Sequence, residues 1–177
     1  EGAIPPIPHF DSPAWFSMYE QGRDPNIDIS FRIEAPHSSS YEWVLEYGIG
    51  NNPQDWKEME VGSGTQEEQW DYTFATADIP SVTMREGDYD ETIPERLDRV
   101  NEASLTFRLR ITDANGVTGE QRKTVYVRED PDLHEGFPIQ LNGSAEASPI
   151  LYDIDGDDIF EIIIADGSGV VHVLNGS

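Results

Sequence analysis

Short segments in which hydrophobic and polar residues alternate dominate the first two thirds of the chain. A period of two is typical of β-strands that are buried on one face. The alternation is clearest over residues 27–33, and it recurs over residues 41–47, 56–61, 70–74, 105–112 and 123–127. Turn-forming residues separate these segments, as in Asp113-Ala114-Asn115-Gly116. The pattern predicts an all-β fold with an antiparallel sandwich over residues 26–130.

The stretch that precedes the sandwich is rich in proline and lacks a long alternating run. Residues 1–25 contain Pro5, Pro6, Pro8, Pro13 and Pro25. Proline-rich stretches favour extended, weakly packed backbone. We therefore interpret residues 1–25 as an N-terminal arm or linker, anchored by Trp15, Phe16 and Tyr19.

One helix is predicted within the sandwich segment. Residues 84–103 are polar and show no strand-like alternation. Thr92 suits the N-cap of a helix and Pro94 suits its first turn. We therefore expect Ile93–Glu102 to form a short helix.

A change of pattern near Glu129-Asp130-Pro131-Asp132 separates a second segment, residues 131–177, from the sandwich. Apolar runs in this segment predict strands over residues 136–141, 148–152, 160–165 and 170–174. Turn residues lie between the runs. The segment is therefore expected to form a compact meander of about four strands.

The charge balance of the chain excludes some classes of partner. The 177 residues include 35 acidic and only 11 basic side chains, which gives a formal net charge of −24. Such a surface repels nucleic acids and anionic membranes, but it suits surroundings that contain calcium or salt. There is no cysteine, which excludes disulfides and thiolate chemistry. No apolar run approaches the roughly 20 residues of a membrane span.

The most specific motif is the acidic loop Asp153-Ile154-Asp155-Gly156-Asp157-Asp158-Ile159-Phe160-Glu161. Acidic residues at positions one, three, five and nine of a tight loop can converge on one hard cation, and Ca²⁺ takes six to eight oxygen ligands. An EF-hand is excluded because it needs flanking helices and a glutamate at position twelve. The predicted Ca²⁺ ligands are the side chains of Asp153, Asp155, Asp157 and Glu161 and the backbone carbonyl of Ile159. The alternative is a solvated acidic turn.

The second segment resembles a known repeat. Its motifs are Gly136-Phe137-Pro138, the run from Ser148 through the acidic loop, Glu161-Ile162-Ile163-Ile164-Ala165 and Gly169-Val170-Val171-His172-Val173-Leu174. It resembles the FG-GAP or VCBS-type repeat, the blade of integrin-like β-propellers. The resemblance implies a propeller-blade-like meander and calcium in the acidic loop. The chain departs from the family at Asp158, where a glycine is usual.

The larger segment is similar to bacterial fibronectin-type-III or immunoglobulin-like modules. The similarity rests on Trp43-Val44-Leu45-Glu46-Tyr47-Gly48, Pro53-Gln54-Asp55-Trp56 and the run from Thr106 to Gly116. It implies that residues 26–130 are a sandwich module of a large secreted bacterial protein.

One propeller blade cannot bury both of its faces. The chain begins with Glu1 rather than methionine, so we expect a mature chain or a part of a longer one.

These features favour a non-enzymatic, calcium-binding structural or adhesive module that is extracellular or at the cell surface. Its partners would be another protein or further domains of the parent protein. One alternative is a self-assembling subunit of a filament or surface layer, joined by exchange of strands or of the N-terminal arm. Another is a carbohydrate-binding or glycoside-hydrolase accessory domain that uses a platform of Trp43, Trp56, Trp70 and Tyr47. We favour a role in the core for Trp43 and its neighbours.

Overall fold

The computed structural model describes residues 4–65, 67–83, 92–131, 133, 134, 136, 137, 139, 141 and 143–176. Within them the chain forms eleven strands, one α-helix, α1 (Ile93–Glu102), and one turn of 3-10 helix, Thr76–Asp78. The first eight strands are β1 (Ile7–Ser12), β2 (Met18–Glu20), β3 (Asn26–Glu34), β4 (Tyr41–Ile49), β5 (Lys57–Gly64), β6 (Glu68–Ala75), β7 (Ser104–Asp113) and β8 (Thr118–Arg128). The last three are β9 (Ile150–Tyr152), β10 (Glu161–Ala165) and β11 (Val171–Leu174).

The chain divides into two compact units, unit 1 (Glu1–Asp132) and unit 2 (Leu133–Ser177). Unit 1 contains a three-stranded sheet of order β1-β3-β6 and a five-stranded sheet of order β2-β8-β7-β4-β5. Neighbouring strands are antiparallel except for β2 and β8, which are parallel. Unit 2 contains an antiparallel sheet of order β11-β10-β9.

The core of unit 1 lies between its two sheets. Every second residue of β3 and of β7 is almost completely buried, as the alternation predicts: Ile27, Ile29, Phe31, Ile33, Leu105, Phe107, Leu109 and Ile111. Phe74 of β6 meets Phe107 of β7 edge to face at 5.6 Å, and Phe31 of β3 meets Trp43 of β4 at 5.1 Å. These contacts join the inner faces of the two sheets, so the all-β, sandwich-type fold is confirmed.

The predicted helix is confirmed with the same bounds, and so is its cap. The Thr92 hydroxyl accepts a hydrogen bond from the backbone N–H of Glu95, and the Glu95 carboxylate accepts one from the backbone N–H of Thr92 at 2.8 Å. This capping box satisfies two N–H groups that no helical carbonyl can reach.

The prediction of an arm or linker over residues 1–25 is wrong where β1 and β2 form. β1 pairs with β3 and β2 pairs with β8, so both belong to the sheets of unit 1. β1 is the edge of its sheet, and an edge strand tolerates proline because its outward N–H groups need no partner. Pro6, Pro8 and Phe10 are buried on one face.

The strand predicted over residues 136–141 is not observed among the residues of that stretch that the structure describes. Pro138 and Gln140 lie outside the described residues. Gly136 lies in a turn with φ +86°, a conformation that extended backbone does not adopt. The described part of unit 2 therefore has three strands rather than about four.

Phe107→Ala tests where the core lies. Phe107 is fully buried, so we expect the substitution to lower the free energy of unfolding of unit 1 by about 3–5 kcal/mol. Urea unfolding followed by tryptophan fluorescence measures this, since all four tryptophans lie in unit 1. Leu97→Ala on the exposed surface of α1 is the control, with an expected change within about 0.5 kcal/mol. Equal effects of the two changes would contradict this assignment of the core.

Candidate metal centre

The acidic loop connects β9 to β10 in unit 2. Tyr152, the last residue of β9, pairs directly with Glu161, the first residue of β10. This register brings the start and the end of the loop to the same place, so Asp153 and Glu161 lie close together although eight positions separate them in sequence. The sheet thus positions the two acids that flank the loop.

Backbone N–H groups wrap the loop around Asp153. Its Oδ1 accepts hydrogen bonds from the N–H of Gly156 at 2.6 Å and of Asp157 at 3.2 Å. Its Oδ2 accepts one from the N–H of Asp158 at 3.1 Å. Glu161 accepts a hydrogen bond from the N–H of Ile154 at 2.8 Å and is buried. These bonds fix the loop backbone while leaving other lone pairs of the carboxylates free.

Two residues of the loop have left-handed backbone. Gly156 has φ +81°, and Asp158 has φ +67°. Most L-residues lose about 1–2 kcal/mol in this conformation, which glycine adopts freely and aspartate tolerates better than most. Asp158 thus occupies a backbone position that favours glycine.

Three of the predicted ligands converge. Asp153, Asp155 and Glu161 each have a carboxylate oxygen within 4.8 Å of the others. The negative charge of Asp157 is the largest of the causes that raise the pKa of Asp155, followed by burial and then by the charges of Glu161 and Asp153. A backbone hydrogen bond from Asp157 acts in the opposite direction. The charged form of Asp155 is therefore disfavoured in the folded loop.

The other two predicted ligands are placed differently. Asp157 lies outside the converging group, and its Oδ1 accepts a hydrogen bond from the N–H of Ile159 at 2.8 Å. Ile159 lies at the end of the loop, with an exposed side chain. Coordination by the Asp157 carboxylate and by the Ile159 carbonyl stays a prediction. Carboxylate oxygens are the ligands that Ca²⁺ prefers, so the donor set of the loop fits that ion.

The sequence analysis did not predict the environment of Asp166, a buried aspartate of unit 2. The Asp166 side chain is fully enclosed, and its Oδ2 lies 2.8 Å from Nε2 of His172. Its Oδ1 accepts hydrogen bonds from the N–H and the hydroxyl of Ser168 and from the N–H of Val170. The bonds from His172 and Ser168 hold the pKa of Asp166 well below its usual range. This set of contacts joins β10 to β11.

The sequence contained a signal for this arrangement around Asp166. The turn between β7 and β8 begins with Asp113, whose Oδ1 accepts hydrogen bonds from the N–H groups of Asn115 and Val117, both at 2.8 Å. The turns starting at Asp113 and Asp166 share the pattern Asp-x-x-Gly-Val, with a glycine of positive φ at the fourth position. Aspartate that accepts from its own turn is a known turn former.

The aromatic residues considered as a sugar platform do not form one. Trp43 and Tyr47 are buried in the core, and Trp70 packs against it. Trp56 lies apart on the outer side, with the Arg108 guanidinium 3.8 Å from its ring centroid. The role in the core that the sequence favoured for Trp43 is confirmed.

Comparisons with known proteins give no family. No protein-family model matches the chain, and no curated protein matches it. Among solved structures, the chain is similar to a superoxide reductase (neelaredoxin) from Ignicoccus hospitalis, with TM-score 0.40 and 11% identity over 69% of this chain and 80% of that one.

Two further solved structures are similar at the same low level. One is an engineered protein, with TM-score 0.36 and 13% identity over 69% of this chain and 20% of that one. The other is a sporulation control protein from Bacillus subtilis, with TM-score 0.37 and 10% identity over 72% of this chain and 50% of that one. The chain thus spans half or less of these two proteins, and the scores are too low to assign a function. None of the helices in the described residues is long and apolar enough to cross a membrane.

Acid should weaken unit 2 through Asp166. Because the folded-state pKa of Asp166 is depressed, its contribution to stability is present above the ordinary aspartate pKa of about 3.9 and is lost as the pH falls below it. Asp166→Asn should therefore destabilise unit 2 at neutral pH, and its difference from wild type should shrink below about pH 4. Amide hydrogen exchange of β10 and β11 between pH 2.5 and 7 measures this.

Asp113→Asn, which changes the related turn of unit 1, is the matched control and should leave exchange in β10 and β11 unaltered. A difference between Asp166→Asn and wild type that stays constant across the whole pH range would contradict the depressed pKa.

Proposed function

We propose that this protein is a non-enzymatic calcium-binding module of an extracellular or cell-surface protein, with a structural or adhesive role. The convergence of the Asp153, Asp155 and Glu161 carboxylates is the observation that carries the proposal. These oxygens repel one another, and the charge of Asp157, with smaller contributions from Glu161 and Asp153, raises the pKa of Asp155. A divalent cation between them removes that repulsion and adds coordination bonds.

Calcium acts by stabilising the sheet of unit 2. The loop joins two strands of a three-stranded sheet, and β9 has only three residues. Bound metal holds Asp153 and Glu161 together and so favours the pairing of β9 with β10. By mass action, calcium at a hundredfold excess over its dissociation constant stabilises the folded unit by about 2.7 kcal/mol.

The strand orders support an accessory module of this kind. Strands β1, β3 and β6 form one sheet, while β8, β7, β4 and β5 form the other. Division of successive strands between two facing sheets in this way is typical of immunoglobulin-like and fibronectin-like sandwiches. The three-stranded meander of unit 2 is similar to part of a propeller blade. Both features support the relationship that the sequence motifs indicated.

Association with further strands is a second candidate function, favoured by exposed apolar residues in unit 2. The strands β9 and β11 expose Ile150, Leu151, Tyr152, Val171 and Val173, each by more than half. Exposed apolar patches mark interaction sites. The occupant would be further repeats of the parent protein or a second copy. Sedimentation across a range of concentrations tests self-association, and a monomer at every concentration contradicts it.

Asp155→Asn tests the metal site and separates two effects. We expect it to weaken calcium binding by at least about tenfold, the loss known for residues that merely orient metal ligands. Without calcium the same change should stabilise unit 2, because it removes a charge that the folded loop disfavours. Calorimetric titration with calcium measures the first effect, and amide exchange of β10 in chelator measures the second.

Asp158→Asn is the matched control for Asp155→Asn. It removes one charge from the same loop at a residue outside the converging group, and asparagine tolerates the left-handed backbone of that position. We expect a loss of affinity of less than about threefold, because only the general charge of the loop changes. Equal losses in both variants, or no calcium binding by wild type, would contradict the proposed site.

A further inference from the structure

The last residues of the acidic loop differ from the rest in what they offer to a metal ion. Ile159 is predicted to contribute its backbone carbonyl, whereas the other predicted ligands are carboxylates. A carboxylate can turn towards an ion about its side-chain torsions, but a carbonyl lies in the plane of its peptide group and points where the main chain directs it. The position of the Ile159–Phe160 backbone therefore determines whether this oxygen can join the carboxylates.

Hydrogen bonds within the loop hold its backbone only as far as the N–H group of Ile159. Asp153 accepts hydrogen bonds from three N–H groups of the loop, and Oδ1 of Asp157 accepts one from the N–H of Ile159 at 2.8 Å. The next residue that a strand positions is Glu161, at the start of β10. Between these two points the backbone is in contact with a different part of unit 2.

Gly176, which follows β11, is the residue that lies against this stretch. A Cβ atom on Gly176 would collide with the carbonyl oxygen of Phe160 and would stand 3.4 Å from Cγ2 of Ile159. The obstacle is backbone, which cannot swing aside as the end of a long side chain can. Glycine therefore allows the chain after β11 to lie directly against the last residues of the loop.

His134 holds Gly176 in this position. Its Nε2 lies 3.1 Å from the carbonyl oxygen of Gly176, a distance at which the tautomer that carries its proton on Nε2 donates a hydrogen bond. His134 begins a turn in which the N–H of Phe137 donates to the carbonyl of His134 at 3.1 Å. The two segments that flank the sheet of unit 2 in sequence thus meet beside the acidic loop.

This contact buries little apolar surface. The residues that Gly176 touches remain exposed, Ile159 by 37% and Phe160 by 60%. Burial of side chains contributes to stability in proportion to the area removed from water, so the contribution here is small. What the contact constrains is the direction of the loop backbone just before β10.

We propose that Gly176, held by His134, is a positioning residue of the calcium site and fixes the Ile159–Phe160 backbone so that the Ile159 carbonyl serves as a ligand. The inference rests on the calcium site proposed above. Residues that orient metal ligands without touching the ion typically change affinity by about ten- to a hundredfold. Loss of the contact leaves the carboxylates in place and removes one oxygen ligand, and a water takes its position.

Gly176→Ala in the full chain tests the proposal. Europium(III) is a hard cation that prefers oxygen ligands, and its luminescence lifetimes in H₂O and D₂O count the water molecules bound to it. We expect the ion in Gly176→Ala to hold one more water than in wild type, and calcium to bind about tenfold more weakly by calorimetry. A merely structural role would lower amide protection of β10 and β11 in chelator without changing the number of bound waters.

Gly167→Ala is the matched control. It lies in the turn at the opposite end of β10, where a Cβ would stand 2.9 Å from Oγ of Ser144. The change therefore disturbs unit 2 without touching the acidic loop. We expect the wild-type number of bound waters and a loss of calcium affinity of less than about threefold, because the two places share no contact.

Variants of His134 provide a second test that does not depend on how well Gly176→Ala folds. His134 is exposed, so both changes should retain the fold. His134→Ala removes the donor and should weaken calcium binding about two- to tenfold. His134→Gln keeps an N–H donor at the end of its side chain and should bind calcium as wild type does.

Three results would overturn the proposal while leaving the calcium site in place. The first is that wild type and Gly176→Ala bind calcium equally well and hold the same number of waters on europium. The second is an equal change in Gly167→Ala, which would indicate a general effect of disturbing unit 2. The third is that His134→Ala binds calcium as tightly as wild type. A wild-type chain that binds neither ion would instead remove the calcium site itself, and this inference with it.

Discussion

Contact between the inner faces of the two sheets is the interaction on which the rest of unit 1 depends. Phe74 against Phe107 and Phe31 against Trp43 bring together strands that are far apart in sequence. Each such side chain contributes roughly 1.5–3 kcal/mol when it is fully buried. The contacts also fix register, because a slip of one residue would turn an entire buried row towards water. Strand order, and with it the position of every edge, follows from this packing.

The same packing stops short at the edge where β5 and β6 lie. Glycine at position 62 lets β5 lie directly over the Trp43 indole, so the indole N–H is buried with no acceptor among the residues that the structure describes. An unpaired buried donor costs about 1–3 kcal/mol, a loss that the large core beneath can absorb. The packing of the core therefore outweighs the cost of burying this N–H group without a partner.

Patterns of period two or of helix capping were enough to predict β3, β4, β6, β7 and α1, because burial of one face and a capping box are local properties of the sequence. β1 was missed because its prolines indicated a linker, whereas an edge strand needs few donors. The closeness of Asp153 and Glu161 could be predicted from the spacing of the acids in the loop, and the register of β9 with β10 explains it. The gap between the edge strands β5 and β6 was beyond prediction, since it depends on which strands become edges of which sheet.

Two aspartates of unit 2 show why one turn is structural and the other suits a ligand. Asp166 is surrounded by donors from Ser168, Val170 and His172, which depress its pKa, so the chain itself satisfies its charge. Asp155 is surrounded by other carboxylates, which raise its pKa. The two aspartate side chains have the same intrinsic pKa, and only their neighbours differ. Because no cationic side chain is among the groups that act on Asp155, the loop supplies no countercharge of its own, and this is the physical basis of the proposal that a divalent ion binds between the three converging carboxylates.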